Sequence, residues 1–376
     1  MSWQDCTLGD VVKLQRGHDL PDRVRVDGPV PVVSSSGITG KHNIAKAEPP
    51  GVVTGRYGTI GEVFYIEEPY WPLNTALYVV DFKGNCPRYA AYLLRNTLKN
   101  YRSEKAAVPG VDRNVLHTLK VRAPDRPTQE RLVSVLSAYD DMIENNRKRI
   151  TLLEEAAKLL YREWFVYLRF PGHEHISIVN GLPVGWERLA ASEAFHINPP
   201  TPRTDEGEIT YVPMASLSEL GMLIDKRTFE RRRISTGVRF RTGDTLFARI
   251  TPCLENGKTG FVQFLQPEDV ACGSTEFIVL RGRKVSNYFV YLTARQPDFR
   301  ENAIKSMIGS SGRQRVQASC FDRYHVSVPP DRLASLFDET VSPLFQQVRV
   351  LDQQNQQLVE ARDLLLPRLM NGEIAV

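Results

Sequence analysis

A helix that occurs twice constrains this chain more than any other feature. Two stretches carry core-type residues at alternating intervals of four and three. The first runs Leu132, Leu136, Tyr139, Ile143, Asn146, Ile150, Leu153, Ala157, Leu160 and Trp164. The second runs Phe337, Val341, Leu344, Val348, Leu351, Asn355, Leu358, Arg362, Leu365 and Leu369. A constant offset of 205 residues relates the two lists position by position. A strict four-three alternation is the seam of a coiled coil, because a solitary helix drifts toward a 3.6-residue period. Polar residues at Asn146, Asn355 and Arg362 interrupt the seam, and buried asparagines at such positions set register and orientation. Two such helices in one chain can pair with each other. The expected arrangement is antiparallel, with a pseudo-twofold axis near Ile150 and Asn355.

The same offset aligns "VRAPDRP" (Val121–Pro127) with "VSVPPDR" (Val326–Arg332) ahead of the helices. Trp3 aligns with Trp186 at the start of each copy. The chain therefore reads as one plan used twice. A first block covers 1–126, a first helix 127–169, a Gly/Pro-rich linker 170–185, a second block 186–328 and a second helix 329–376. Each block reads as mixed α/β. Strands are expected at "ALYVVDF", "HTLKVRAP", "TLFARI", "TGFVQFL" and "TEFIVLRG", with a proline-opened helix over Pro87–Tyr101. The fold class is α+β, with two mixed α/β domains separated by two long paired helices.

Charge follows the repeat. Residues 1–126 hold 17 Lys+Arg against 13 Asp+Glu, and residues 190–328 hold 19 against 15. Residues 127–189 hold 8 against 9, and residues 329–376 hold 4 against 7. A basic excess confined to both blocks points to an anionic polymer as their partner. No apolar run is long enough to span a membrane. The opening "MSWQDCTLGD" lacks a basic-then-apolar leader, so a cytoplasmic location is expected. Cys6, Cys86, Cys253, Cys272 and Cys320 show no CxxC spacing, which argues against a zinc site or disulfide framework. His173 and His175 flank Glu174 without further ligands nearby in sequence.

Catalytic motifs are weak. "TPCLENGKTG" (Thr251–Gly260) ends like a phosphate-binding P-loop, but Pro252 stands where that loop needs glycine. A strand rather than a helix is expected to follow it. "INPP" (Ile197–Pro200) begins like the Asn-Pro-Pro-aromatic motif of amino-methyltransferases, yet Thr201 replaces the aromatic residue. An adenine methyltransferase or an ATPase is the alternative reading. No cofactor and no enzymatic role is expected. The basic and polar loops remain. Arginine forks can read guanine edges, and lysine, serine and backbone N–H groups hold phosphates. The candidate DNA-binding residues are Arg56, Tyr57 and Arg113 in block one. Those in block two are Arg249, Lys258, Ser310, Arg313 and Arg315.

With its duplicated layout, the chain resembles the specificity (S) subunits of type I restriction-modification systems. The residues that carry this are "GRYGTIGEVFYIEEPYWPLNTALYV", "ARITPCLENGKTGFV", the segment from Pro127 to Val166 and "LLLPRLMNGEI". The resemblance implies that each block is a target recognition domain reading half of a split, asymmetric double-stranded DNA sequence. It also implies that the paired helices dock two modification (methyltransferase) subunits, joined by restriction (translocase/nuclease) subunits. Rod length is consistent with this. Leu136 to Trp164 spans 29 residues, about 43 Å at 1.5 Å per residue. That is on the order of 13 base pairs, close to one turn of duplex.

Overall fold

The computed structural model describes residues 3–56, 61–99, 101, 111–202, 207–233, 236–310 and 312–376. Two compact units emerge. One comprises Met1–Glu144 with Gln356–Val376, the other Asn145–Asn355.

The first unit contains strands β1 (Trp3–Thr7), β2 (Lys13–Arg16), β3 (Val30–Ser34), β4 (Gly37–His42), β5 (Gly51–Gly55), β6 (Val63–Ile66), β7 (Trp71–Pro72), β8 (Ala76–Asp81) and β9 (Lys120–Pro124). Its helices are α1 (Leu8–Val11), α2 (Pro87–Lys99), α3 (Arg113–Thr118) and the start of α4 (Arg126–Tyr161). The main sheet has the order β2-β8-β5-β6, and a smaller one β4-β3-β7. β1 pairs antiparallel with β9, bringing Trp3 opposite Pro124 and closing the block. The strand expected over "HTLKVRAP" is shorter than its sequence suggested. His117 and Thr118 finish α3, whose N-cap Asp112 accepts from Asn114 N–H at 2.9 Å. The cap side chain satisfies a helix-terminal donor and tips this polar stretch to helix.

α4 opens where Asp125 Oδ1 accepts from Thr128 N–H at 3.1 Å, with Pro127 in the first turn. Leu132 and Leu136 bury against Leu366, Leu369 and Met370 near the C-terminus. Arg362 Nη1 donates to Asp140 Oδ1 at 2.7 Å, and Tyr92 OH donates to Asp140 Oδ2 at 2.7 Å. Asp140 thus ties α2, α4 and the C-terminal helix together. Burying the Arg362 stem in the seam is tolerable because its charge is neutralised where it sits.

In the second unit a short hairpin, β10 (Ile178–Val179) and β11 (Leu182–Pro183), occupies the Gly/Pro-rich linker. The block then holds β12 (Glu187–Ala190), β13 (Phe195–Ile197), β14 (Ile209–Val212), β15 (Glu230–Arg232), β16 (Val238–Arg241), β17 (Thr245–Ala248), β18 (Thr259–Phe261), β19 (Val270–Gly273), β20 (Phe277–Gly282) and β21 (His325–Val328). Helices α5 (Ala191–Ala194), α6 (Asn287–Ala294), α7 (Pro297–Lys305) and most of α8 (Asp331–Met370) complete it. The main sheet order is β13-β20-β17-β18. It repeats the first unit's main sheet strand for strand. Each smaller sheet also contains one parallel pair, β3 with β7 and β14 with β19. β12 pairs with β21 as β1 does with β9.

Within this unit α4 and α8 run antiparallel. Asn146 Nδ2 donates to Asn355 Oδ1 at 3.1 Å, while the Trp164 ring lies 5.5 Å from that of Phe337. Seam residues Ile150, Ala157, Trp164, Phe337, Val341, Val348 and Leu351 are buried, and Leu153, Leu160 and Leu344 are half-buried. In the first unit Ile143 is buried, and Tyr139, Leu358 and Leu365 are half-buried.

Glu154, next to the seam and only 4% exposed, accepts from Met222 N–H at 2.9 Å. Burial pushes its carboxyl above the ordinary value of about 4.3, against the pull of that N–H, Lys158 and Arg295. A raised folded-state pKa contributes stability at low pH. That stability is lost as pH rises through the folded value. Glu154→Gln keeps an acceptor and removes the charge. Urea midpoints from pH 4 to 7 should therefore fall less for this variant than for the wild type.

Candidate nucleic-acid interface

In the second unit, β17 ends at Ala248 and the chain leaves the sheet at Arg249. Arg249 N–H donates to the Glu276 carbonyl at 3.0 Å, and Val316 N–H donates to the Arg249 carbonyl at 2.8 Å. Two further loops are thereby locked to the strand end. Thr251 N–H bonds the Gln314 carbonyl, and Gln314 N–H bonds Thr251 Oγ1, both at 3.1 Å. Arg315 and Ile308 exchange backbone bonds at 3.0 and 3.1 Å. Arg249, Ser310, Arg313 and Arg315 so fall on one connected loop cluster. Arg249 is half-buried, and its Nε is buried with no hydrogen-bond partner among the described residues. Ser310, Arg313 and Arg315 are exposed.

Arg315 forks onto Glu276. Its Nε lies 3.0 Å from both carboxylate oxygens and its Nη2 2.7 Å from Oε1. This pairing, together with the nearby Arg249 charge, holds the Glu276 carboxyl below the usual range. Glu276 carries no motif, and neighbours in sequence do not single it out.

Lys258 lies differently. It is half-buried, with Nζ 3.5 Å from the Met214 carbonyl. "ENGK" is the last part of the loop 249–258 between antiparallel β17 and β18, with Gly257 at φ +82°. Lys258 is followed directly by a strand, as the sequence suggested.

The "INPP" segment is also bound into the sheet. Asn198 Oδ1 accepts from Val279 N–H at 2.9 Å, and Thr201 Oγ1 accepts from Arg281 Nη2 at 2.9 Å. A cleft of about 690 Å³ beside it is lined by Asn198, Pro199, Thr201, Gly237, Arg239 and Val279. On the adjoining small sheet the Arg232 guanidinium stacks 3.2 Å from the Tyr211 ring centre.

The first unit repeats the frame. β5 ends at Gly55, and Arg56 N–H donates to the Thr75 carbonyl at 3.0 Å. Val111 N–H donates to the Arg56 carbonyl at 2.9 Å. Arg56, Thr75 and Val111 therefore correspond to Arg249, Glu276 and Val316. Arg113 follows two residues later, exposed at the start of α3. Arg16, whose Nε lies 3.4 Å from the Asn74 carbonyl, adds a cation that the sequence did not single out. The candidate Tyr57 lies outside the described residues, as do residues 58–60 and 102–110.

Among the described residues no group of three or more His, Cys, Asp or Glu side chains could hold a metal ion. Nor is any helix there long and apolar enough to cross a membrane.

Residues 1–155 match the family model described as the type I restriction modification DNA specificity domain. The chain is similar to the specificity subunits of type I restriction enzymes. The EcoEI specificity subunit of Escherichia coli is 31% identical over 194 residues, covering 50% of this chain and 32% of that protein. The chain thus aligns with about a third of that relative's length. The MjaIX specificity subunit of Methanocaldococcus jannaschii is 22% identical over 334 residues, 84% of this chain and 76% of that protein. The crystal structure of a type I S subunit from M. genitalium shares the fold, with a TM-score of 0.58 at 14% identity. It covers 98% of this chain and 96% of that one.

Proposed function

We propose that this chain is the DNA-reading subunit of a type I restriction-modification complex. It recognises a bipartite, asymmetric double-stranded target with a fixed spacer, and it has no catalytic site of its own. The observation that carries the reading is the duplicated arginine. Arg56 and Arg249 leave equivalent strands on equivalent backbone frames, one per block. One frame used twice suits two half-sites. The different residues around it suit half-sites that differ. In this reading 1–126 and 186–328 are the recognition domains, 127–169 and 329–376 the spacer helices, and 170–185 the linker. The helices form an antiparallel coiled coil that sets the spacer.

Scaffolding of two modification subunits, and through them restriction subunits, has support in α4. Met142, Leu152 and Leu159 are 53%, 63% and 57% exposed, on faces turned away from the seam. Large apolar side chains repeated on the solvent side of a helix are a feature of docking surfaces. The proposed location is the cytoplasm.

Methylated-adenine sequencing tests the reading. A host carrying this gene with its modification partner should gain one split, non-palindromic methylated motif that disappears on deletion of the gene. An unchanged set of methylated adenines sinks the proposal. In vitro affinity for the motif should fall steeply with salt, because phosphate neutralisation releases counterions.

A further inference from the structure

The two loop frames share their arginine but not its neighbour. At the residue whose carbonyl receives the arginine N–H, block one has Thr75 and block two has Glu276. A carboxylate is an unexpected group at a surface that meets DNA, since it repels phosphate and cannot accept from guanine O6 or N7, which are themselves acceptors. It can accept from the N4 amino group of cytosine. Its partner here, Arg315, has the opposite preference, because an arginine fork suits guanine O6 and N7. Guanine O6 and cytosine N4 are adjacent on the major-groove edge of one base pair.

The geometry suits a paired readout. Arg315 contacts both Glu276 oxygens at 2.7–3.0 Å through Nε and Nη2. A carboxylate has about four lone-pair sites, so those contacts leave acceptor capacity. Nη1 of Arg315 takes no part in the fork. The unit therefore presents donor beside acceptor. The bonds of Glu276 and Val316 to Arg249, and the exchange of Arg315 with Ile308, hold both backbones in place. Such mutual restraint lowers the ordering cost of recognition. The Glu276 carboxyl stays ionised at neutral pH, as an acceptor for cytosine requires.

We propose that the Arg315–Glu276 fork reads one G·C base pair in the second half-site, Arg315 donating to the guanine and Glu276 accepting from cytosine N4. Thr75, uncharged and shorter, gives the first block a different preference at the equivalent place. This inference rests on the DNA-reading function proposed above.

The test replaces Glu276 by Thr, the block-one residue, and by the near-isosteric Gln. Each variant is expressed with the modification subunits and its methylated motif is sequenced beside the wild type. Discrimination at one G·C position of one half-site should drop roughly tenfold to a hundredfold in E276T, with the other half-site unchanged. In E276Q, whose amide also donates, the same position should relax rather than a different one. A wild-type motif that both variants preserve in full overturns the inference while leaving the DNA-reading function standing. Equal loosening of both half-sites also overturns it. A wild-type complex that produces no motif at all overturns the function, and this inference with it.

Discussion

Asp244→Ala should destabilise the second unit by about 3–5 kcal/mol, a large share of a domain's stability. Asp244 is fully buried, and its carboxylate takes a bidentate fork from Arg281 at 2.6 and 2.7 Å. It also accepts from Arg241 N–H at 2.8 Å. Truncation leaves a guanidinium that is itself 9% exposed without its counter-charge. The energetic weight lies in breaking the pair rather than in having it. Replacing both partners by apolar residues, as in Asp244→Leu with Arg281→Met, should cost less than the single truncation. Equilibrium unfolding in urea measures both. A single variant within 1 kcal/mol of wild type would show that the guanidinium finds water or another partner. The pair joins the start of β17 to β20, the two strands whose other ends carry Arg249 and Glu276. Its loss should therefore loosen the loops that carry Arg249 and Glu276 as well.

Arg56→Ala and Arg249→Ala should each weaken binding to the methylated motif roughly tenfold to a hundredfold. The two lie in different units, so their effects should add in free energy. The double variant would then lose on the order of a hundredfold to ten-thousandfold. Fluorescence anisotropy with a labelled duplex at fixed salt gives the affinities. If the arginines read bases, each single change relaxes one half-site and leaves the other intact. Uniform weakening on every sequence, with a shallower salt dependence, would assign them to phosphates instead. Lys258 should matter less than either arginine, because its Nζ is half-withdrawn toward the Met214 carbonyl.

The long helices were legible in the sequence because their signal is local. A residue every three or four positions needs no distant partner to be recognised, and 36- and 40-residue helices span enough turns for the period to stand out. The duplicated blocks were legible for the same reason, from constant offsets, as was Pro252 standing against a phosphate cradle. The end of α3 was not, because a capping aspartate outweighed the strand-like look of "HTLKV". The equivalence of Arg56 with Arg249 was hidden by unequal loops. Those loops make the offset 193 here and 205 at the helices.

The sequence by itself determined the repeat, the helical seams and the basic character of both blocks, because periodicity and composition are additive along a chain. Tertiary structure alone decided which charges meet. Arg249, Glu276 and Arg315 come from three separate segments, and nothing local marks any one of them as the others' partner. Only strand pairing and loop locking bring the acid into the cluster, where it turns a basic loop into a site with both donors and an acceptor.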